Sequence, residues 1–182
     1  MRRFLSALIT FALLAAFPAA ALPCLAEDAD AEFSEGGVWL VKVPEGYTVE
    51  FDEDKEEGAR YLTLTPNDIE MPIYYVSITP PDEKLTALGE LSSDMTDEEL
   101  SEYAKYFTEE YNAPSVHKAA TEVGTPLLVI DENNNEEIDY GEIVGFHKGC
   151  LVKVEIVSYG DKPLDEDDYS RGVQIISNVW FD

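Results

Sequence analysis

Positive charge is scarce in this chain: 12 lysines and arginines stand against 38 aspartates and glutamates, a formal charge of −26 over 182 residues. A nucleic-acid binder uses lysine and arginine to displace counterions from phosphates, and adhesion to anionic lipid needs the same residues. The balance therefore argues against both kinds of partner. Histidine and cysteine are also sparse, two of each. Two imidazoles are too few for a transition-metal site built on histidine alone, and the chain lacks H-E-x-x-H, C-x-x-C, G-x-S-x-G and G-x-G-x-x-G. Paired carboxylates of the glycosidase type are bound to occur by coincidence among 38 acids, so they select nothing. The expectation is a protein that is not an enzyme.

Long apolar runs are missing except at the start. Arg2 and Arg3 precede an apolar stretch over 4–17, and Pro18 with small residues leads to Cys24, Leu25 and Ala26. This is the build of a secretory signal peptide over 1–26, cleaved after Ala26 or near Ala21, and it predicts a secreted or extracytoplasmic protein. A membrane-spanning helix needs about 20 apolar residues, and Pro18 and Pro23 interrupt the run, so no stable membrane insertion is expected. Lipid anchoring at Cys24 is disfavoured because Pro23 stands where such signals carry a small residue. Cleavage leaves ten basic groups against 38 acidic ones, a charge of −28, and Cys150 as the one remaining cysteine, which excludes an intramolecular disulfide.

The remainder reads as an acidic flexible arm over 27–37 and one domain over 38–182, long enough to bury a core without staples. Short β-branched and aromatic runs at 38–44 and 47–51, joined by Pro44, Glu45 and Gly46, predict a hairpin. Strands follow at 60–65 and 73–79. Thr96 and Glu99 form a capping box, and Leu100, Tyr103, Ala104, Phe107 and Tyr111 make one apolar helical face over 97–112. Four more strands are predicted at 116–123, 126–130, 138–147 and 150–158. The unbroken apolar run of 126–130 suits a strand covered on both faces. Alternation sets Cys150, Val152, Val154 and Ile156 toward the core and Leu151, Lys153, Glu155 and Val157 away from it. Asp165 caps a last helix to 178 with Tyr169, Val173, Ile176 and Val179 as its buried stripe.

Strands, helix, strands, helix is the order of an α+β domain, an antiparallel β-sheet flanked by helices. The segments V-P-E-G-Y at 43–47, E-x-G-x-P-L-L-V at 122–129, GEIVGFHKGCLVKVEIVS at 141–158 and IISNVWF at 175–181 resemble the PsbP-like proteins. That resemblance implies an α/β/α sandwich and a non-catalytic interaction module, and it supplies no catalytic residues.

Two sets of residues invite a ligand. The segment 131–142, DENNNEEIDYGE, has the oxygen spacing of a calcium loop: Asp131, Asn133, Asn135, the carbonyl of Glu137, Asp139 and Glu142. Against it, Glu136 replaces the glycine of position 6, and the flanks read as strands where helices belong. An asparagine-rich turn between two strands accounts for the same residues without Ca2+. The second set is Tyr74, Tyr75 and Tyr106. Adjacent tyrosines in a strand point to opposite faces, and Tyr106 lies off the apolar stripe of its helix. Exposed aromatics beside carboxylates suit an extracytoplasmic protein, peptide or glycan. His147 and Cys150, three residues apart, read as emerging on unlike faces, with Cys150 an inert buried thiol.

Overall fold

The computed structural model describes residues 32–108, 115–121, 123–131, 140–158 and 162–182. The predicted signal peptide over 1–26 and residues 27–31 of the predicted arm lie outside them. Ten strands and three helices are present among the described residues: β1 (Phe33–Glu35), β2 (Val38–Leu40), β3 (Tyr47–Asp54), β4 (Ala59–Pro66), β5 (Ile73–Thr79), α1 (Glu83–Leu88), α2 (Asp97–Thr108), β6 (Ser115–Ala120), β7 (Pro126–Asp131), β8 (Tyr140–His147), β9 (Cys150–Val157), α3 (Glu166–Asn178) and β10 (Val179–Phe181). The domain is α+β, as the order of elements predicts.

Period-two alternation builds the main sheet. Its seven strands run in the order β3-β4-β5-β9-β8-β7-β6, with antiparallel pairing throughout. The inner face carries Leu62, Leu64, Tyr74, Val76, Ile78, Val152, Val154 and Ile156, all buried in the main core. The 150–157 alternation therefore holds. The run 126–130 is covered on both sides: Leu127 and Val129 join the main core, while Leu128 and Ile130 pack under the helices of the other face.

Helix α3 and a three-stranded sheet, β1-β2-β10, close the inner face. Two expectations fail here. Segment 38–44 does not form a hairpin with 47–51; β2 pairs with β1 and with β10 instead. A long-range partner outcompetes the local one because Val38, Leu40, Val179 and Phe181 bury together against the main core. The flexible arm predicted over 27–37 fails over its second half, since Phe33–Glu35 is a strand bonded to β2.

Asp165 caps α3 as predicted, with a full capping box to Asp168. The buried face is turned, however: Asp168, Gly172 and Ile175 are buried, whereas Tyr169, Val173 and Ile176 are half-buried at its flank. Gly172 sets this contact. A Cβ there would lie 2.6 Å from Ile143 Cδ1, so its absence lets the helix sit against the sheet at that residue.

On the outer face, α1 and α2 cover part of the sheet. Leu85, Tyr103 and Phe107 pack on Leu128, Ile130 and Val144 of β7 and β8. The Thr96 box forms, with Glu99 N–H donating to Thr96 Oγ1 at 3.2 Å and Thr96 N–H to Glu99 Oε2 at 2.8 Å. Residues 109–112 of the predicted helix lie outside the described residues. Helix α1, capped by Asp82, was not predicted; six residues are too few to show a period. No helix among the described residues is long and apolar enough to cross a membrane.

Candidate functional site

Among the described residues no helix packs on the outer faces of β3, β4 and β5, and on β9 the helix-side cluster reaches only Leu151, so this bare half presents polar and aromatic side chains. Strand register sorts them into rows. Glu50 pairs with Thr63, Thr63 with Tyr75, Tyr75 with Glu155 and Glu155 with Glu142, a continuous ladder across five strands. The adjacent row runs Asp52, Tyr61, Ser77, Lys153. Between the rows lies a groove of about 440 Å³ lined by Tyr61, Thr63, Tyr75, Ser77, Lys153 and Glu155 among others. Its form follows from the sequence: threonine, serine and tyrosine keep β4 and β5 extended while presenting hydroxyls and ring faces to solvent.

A charge cluster with one buried carboxylate forms the side of the groove next to β8. Glu142 is 1% exposed. Its Oε1 accepts from Tyr140 OH at 2.6 Å and lies 3.2 Å from Lys153 Nζ, and Lys153 Nζ lies 2.5 Å from Glu155 Oε1. Glu142 and Glu155 are directly opposed on neighbouring strands, an arrangement that repels unless a cation joins them. Lys153 supplies that cation. A buried carboxylate is tolerated only when paired and hydrogen-bonded, so the cluster is a fixed, costly feature of the sheet surface.

The two predicted residue sets fare differently. Of the calcium-loop positions, Asn133, Asn135, Glu137 and Asp139 lie outside the described residues, and of Asp131 only the backbone, paired with Gly141, is described. The flanks β7 and β8 are strands. Glu142 is held by Tyr140 and Lys153, so a calcium ion at that carboxylate would have to compete with an ammonium group. Among the described residues no group of three or more His, Cys, Asp and Glu is arranged to hold a metal ion. Tyr74 and Tyr75 do point to opposite faces. Tyr74 is fully buried in the main core, its hydroxyl donating to Asp168 O at 3.0 Å and accepting from Arg171 Nη1 at 3.3 Å. Burial, only partly offset by Arg171, pushes its phenol pKa up. It is a structural residue. Tyr75, 39% exposed, stands in the groove. Tyr106 does not join it; its hydroxyl donates to Asp82 Oδ2 at 3.1 Å and ties α2 to the cap of α1.

Sequence reasoning missed Tyr61, Tyr140, Lys153 and Glu155 as site residues. The signal was present in the outward set of the 150–157 alternation, since Lys153 and Glu155 must share a face with Tyr75 once β9 is placed beside β5.

The reading of His147 and Cys150 is corrected: they are cross-strand partners and share a face. Lys148 and Gly149 both have positive φ, 50° and 75°, which makes a two-residue turn whose flanking residues are paired. His147 lies edge-on to the rings of Trp180 and Phe181, with centroids 5.5 and 5.3 Å away. Its buried Nε2 has no hydrogen-bond partner among the described residues. Burial, reinforced by Lys148, lowers its pKa. The unfolded chain takes up this proton near the ordinary value of about 6.5 and the folded chain only at lower pH. The contribution to stability is therefore present above that value and is lost as pH falls through it toward the folded pKa. Thermal melts at pH 7.5 and 5.5 should show a drop in Tm that is smaller in His147→Leu. Equal drops in the two proteins would contradict the burial of this imidazole.

No family model, curated protein or solved structure matches the chain.

Proposed function

We propose that the protein is a non-catalytic binding module of the extracytoplasmic space, released by cleavage after residue 26, whose ligand docks on the bare half of the outer sheet face. One observation carries the reading. A seven-stranded sheet that is closed on its inner face and half covered on its outer face leaves Tyr75, Tyr61 and the Glu142–Lys153–Glu155 cluster around a groove large enough for side chains of a partner. Rigid strands hold these groups in place, so little ordering entropy is lost on binding. Tyrosines contribute large contact area at low conformational cost. The partner is an extracytoplasmic protein, peptide or glycan. The finer fold we propose is a PsbP-like α/β/α sandwich; helices on both faces of the sheet support it.

The test is an array of peptides and glycans probed with the protein and with a Tyr61→Ser/Tyr75→Ser variant of unchanged Tm. The expected outcome is a set of bound ligands whose signal drops by about tenfold or more in the variant, as loss of two interfacial tyrosines implies. Ligands bound equally by both proteins would place binding elsewhere and overturn the proposal.

A further inference from the structure

Building on that proposed docking face, the geometry points to its ligand: we propose an extended basic peptide segment that crosses the strands of the bare face with lysine or arginine side chains at positions i and i+4. Charge complementarity selects the sign. The solvent-accessible carboxylates of the two rows are those of Glu50, Asp52 and Glu155, against the single cation of Lys153, which already bridges Glu155 to the buried Glu142. A second cation is attracted to the solvent side of this surface, and an acidic or phosphorylated segment is repelled by it and by the chain's charge of −26.

The row geometry selects the spacing. Glu155 and Glu50 end a row in which Tyr75 and Thr63 lie between them. Three inter-strand steps of about 4.8 Å separate the two carboxylates by about 14 Å. An extended chain advances about 3.4 Å per residue, so positions i and i+4 are about 14 Å apart and point to the same side. A basic group at Glu155 also lies beside Tyr75, its cross-strand neighbour, whose ring face favours a cation. Intervening small polar residues would meet Tyr75 and Thr63.

The experiment uses nine-residue serine and threonine peptides with blocked ends, carrying two lysines at i,i+4, two lysines at i,i+1, two glutamates at i,i+4, or no charge. Titration calorimetry gives each Kd for the parent protein, for Glu50→Gln/Glu155→Gln, and for Glu83→Gln/Glu98→Gln, which removes the same charge from α1 and α2. The i,i+4 lysine peptide should bind tightest, about fivefold or more above the i,i+1 peptide, and should weaken about tenfold in Glu50→Gln/Glu155→Gln. In Glu83→Gln/Glu98→Gln its affinity should stay within about twofold. Equal weakening in the two double variants would show general attraction to an acidic protein and overturn the inference. So would no binding of any peptide up to about 1 mM. Equal or tighter binding of the uncharged peptide, lost in Tyr61→Ser/Tyr75→Ser, would also overturn it while leaving the docking face in place.

Discussion

Lys153→Met should cost about 2–3 kcal/mol of folding stability, although the residue sits on the outer face of the sheet. The substitution keeps the length and apolar stem of the side chain and deletes its charge. Glu142, 1% exposed, then keeps its carboxylate with the Tyr140 hydroxyl as the hydrogen-bond donor named above, and stands opposite Glu155 with no cation between them. Removing one partner of a fully buried pair costs about 3–5 kcal/mol; the cost here falls at or below the lower end of that range because the Lys153 side chain is 22% exposed and water screens part of the loss. Urea denaturation should show the midpoint moving with the slope unchanged. The paired variant Glu142→Leu/Lys153→Met should recover most of the loss, because an apolar pair replaces an ion pair at little net cost. A loss below about 0.5 kcal/mol for Lys153→Met would mean that Glu142 is solvated and that the cluster is ordinary surface charge.

Tyr103→Ala should be the more damaging change, at about 3–4 kcal/mol, and its effect should be local. Tyr103 is 1% exposed, packs edge-on against Phe146, and donates its hydroxyl to Gly89 O, so one side chain joins α2 both to β8 and to the end of α1. Its truncation leaves a void over Leu128 and Val144 and an unmet carbonyl at Gly89. Hydrogen exchange should show amides of Glu83–Leu88 and Asp97–Thr108 losing protection while those of β4, β5 and β9 keep theirs. Uniform loss of protection across the sheet would mean that the helices and the bare strands form one cooperative unit.

Local chemistry made most strands and both long helices readable. The alternation in 150–157 assigned both faces of β9, and the Thr96 and Asp165 caps placed the starts of α2 and α3. Pairing between distant short strands was not readable, because three residues such as Val38–Leu40 carry no signal that selects Val179–Phe181 over Tyr47–Phe51. The stripe of α3 was misjudged because it was drawn through apolar residues alone. Gly172 packs by having no side chain, and Asp168 is buried because Arg171 Nη1, at 3.3 Å from its Oδ1, pairs with it. The candidate site was half legible: Tyr75 was singled out from its strand parity. Glu142 was assigned by spacing to a cation loop, and its engagement with Lys153 and Tyr140 became visible only once β8 was laid beside β9.

The central claim is that the bare outer face of β3, β4, β5 and β9 is where this protein meets its partner. The most direct measurement is the titration of isotope-labelled protein with the i,i+4 lysine peptide, followed through its amide resonances. The expected result is a contiguous set of shifts at Thr63, Tyr75, Ser77, Lys153 and Glu155, with α3 and the small sheet unmoved. Shifts centred on α3 or on the small sheet would contradict it.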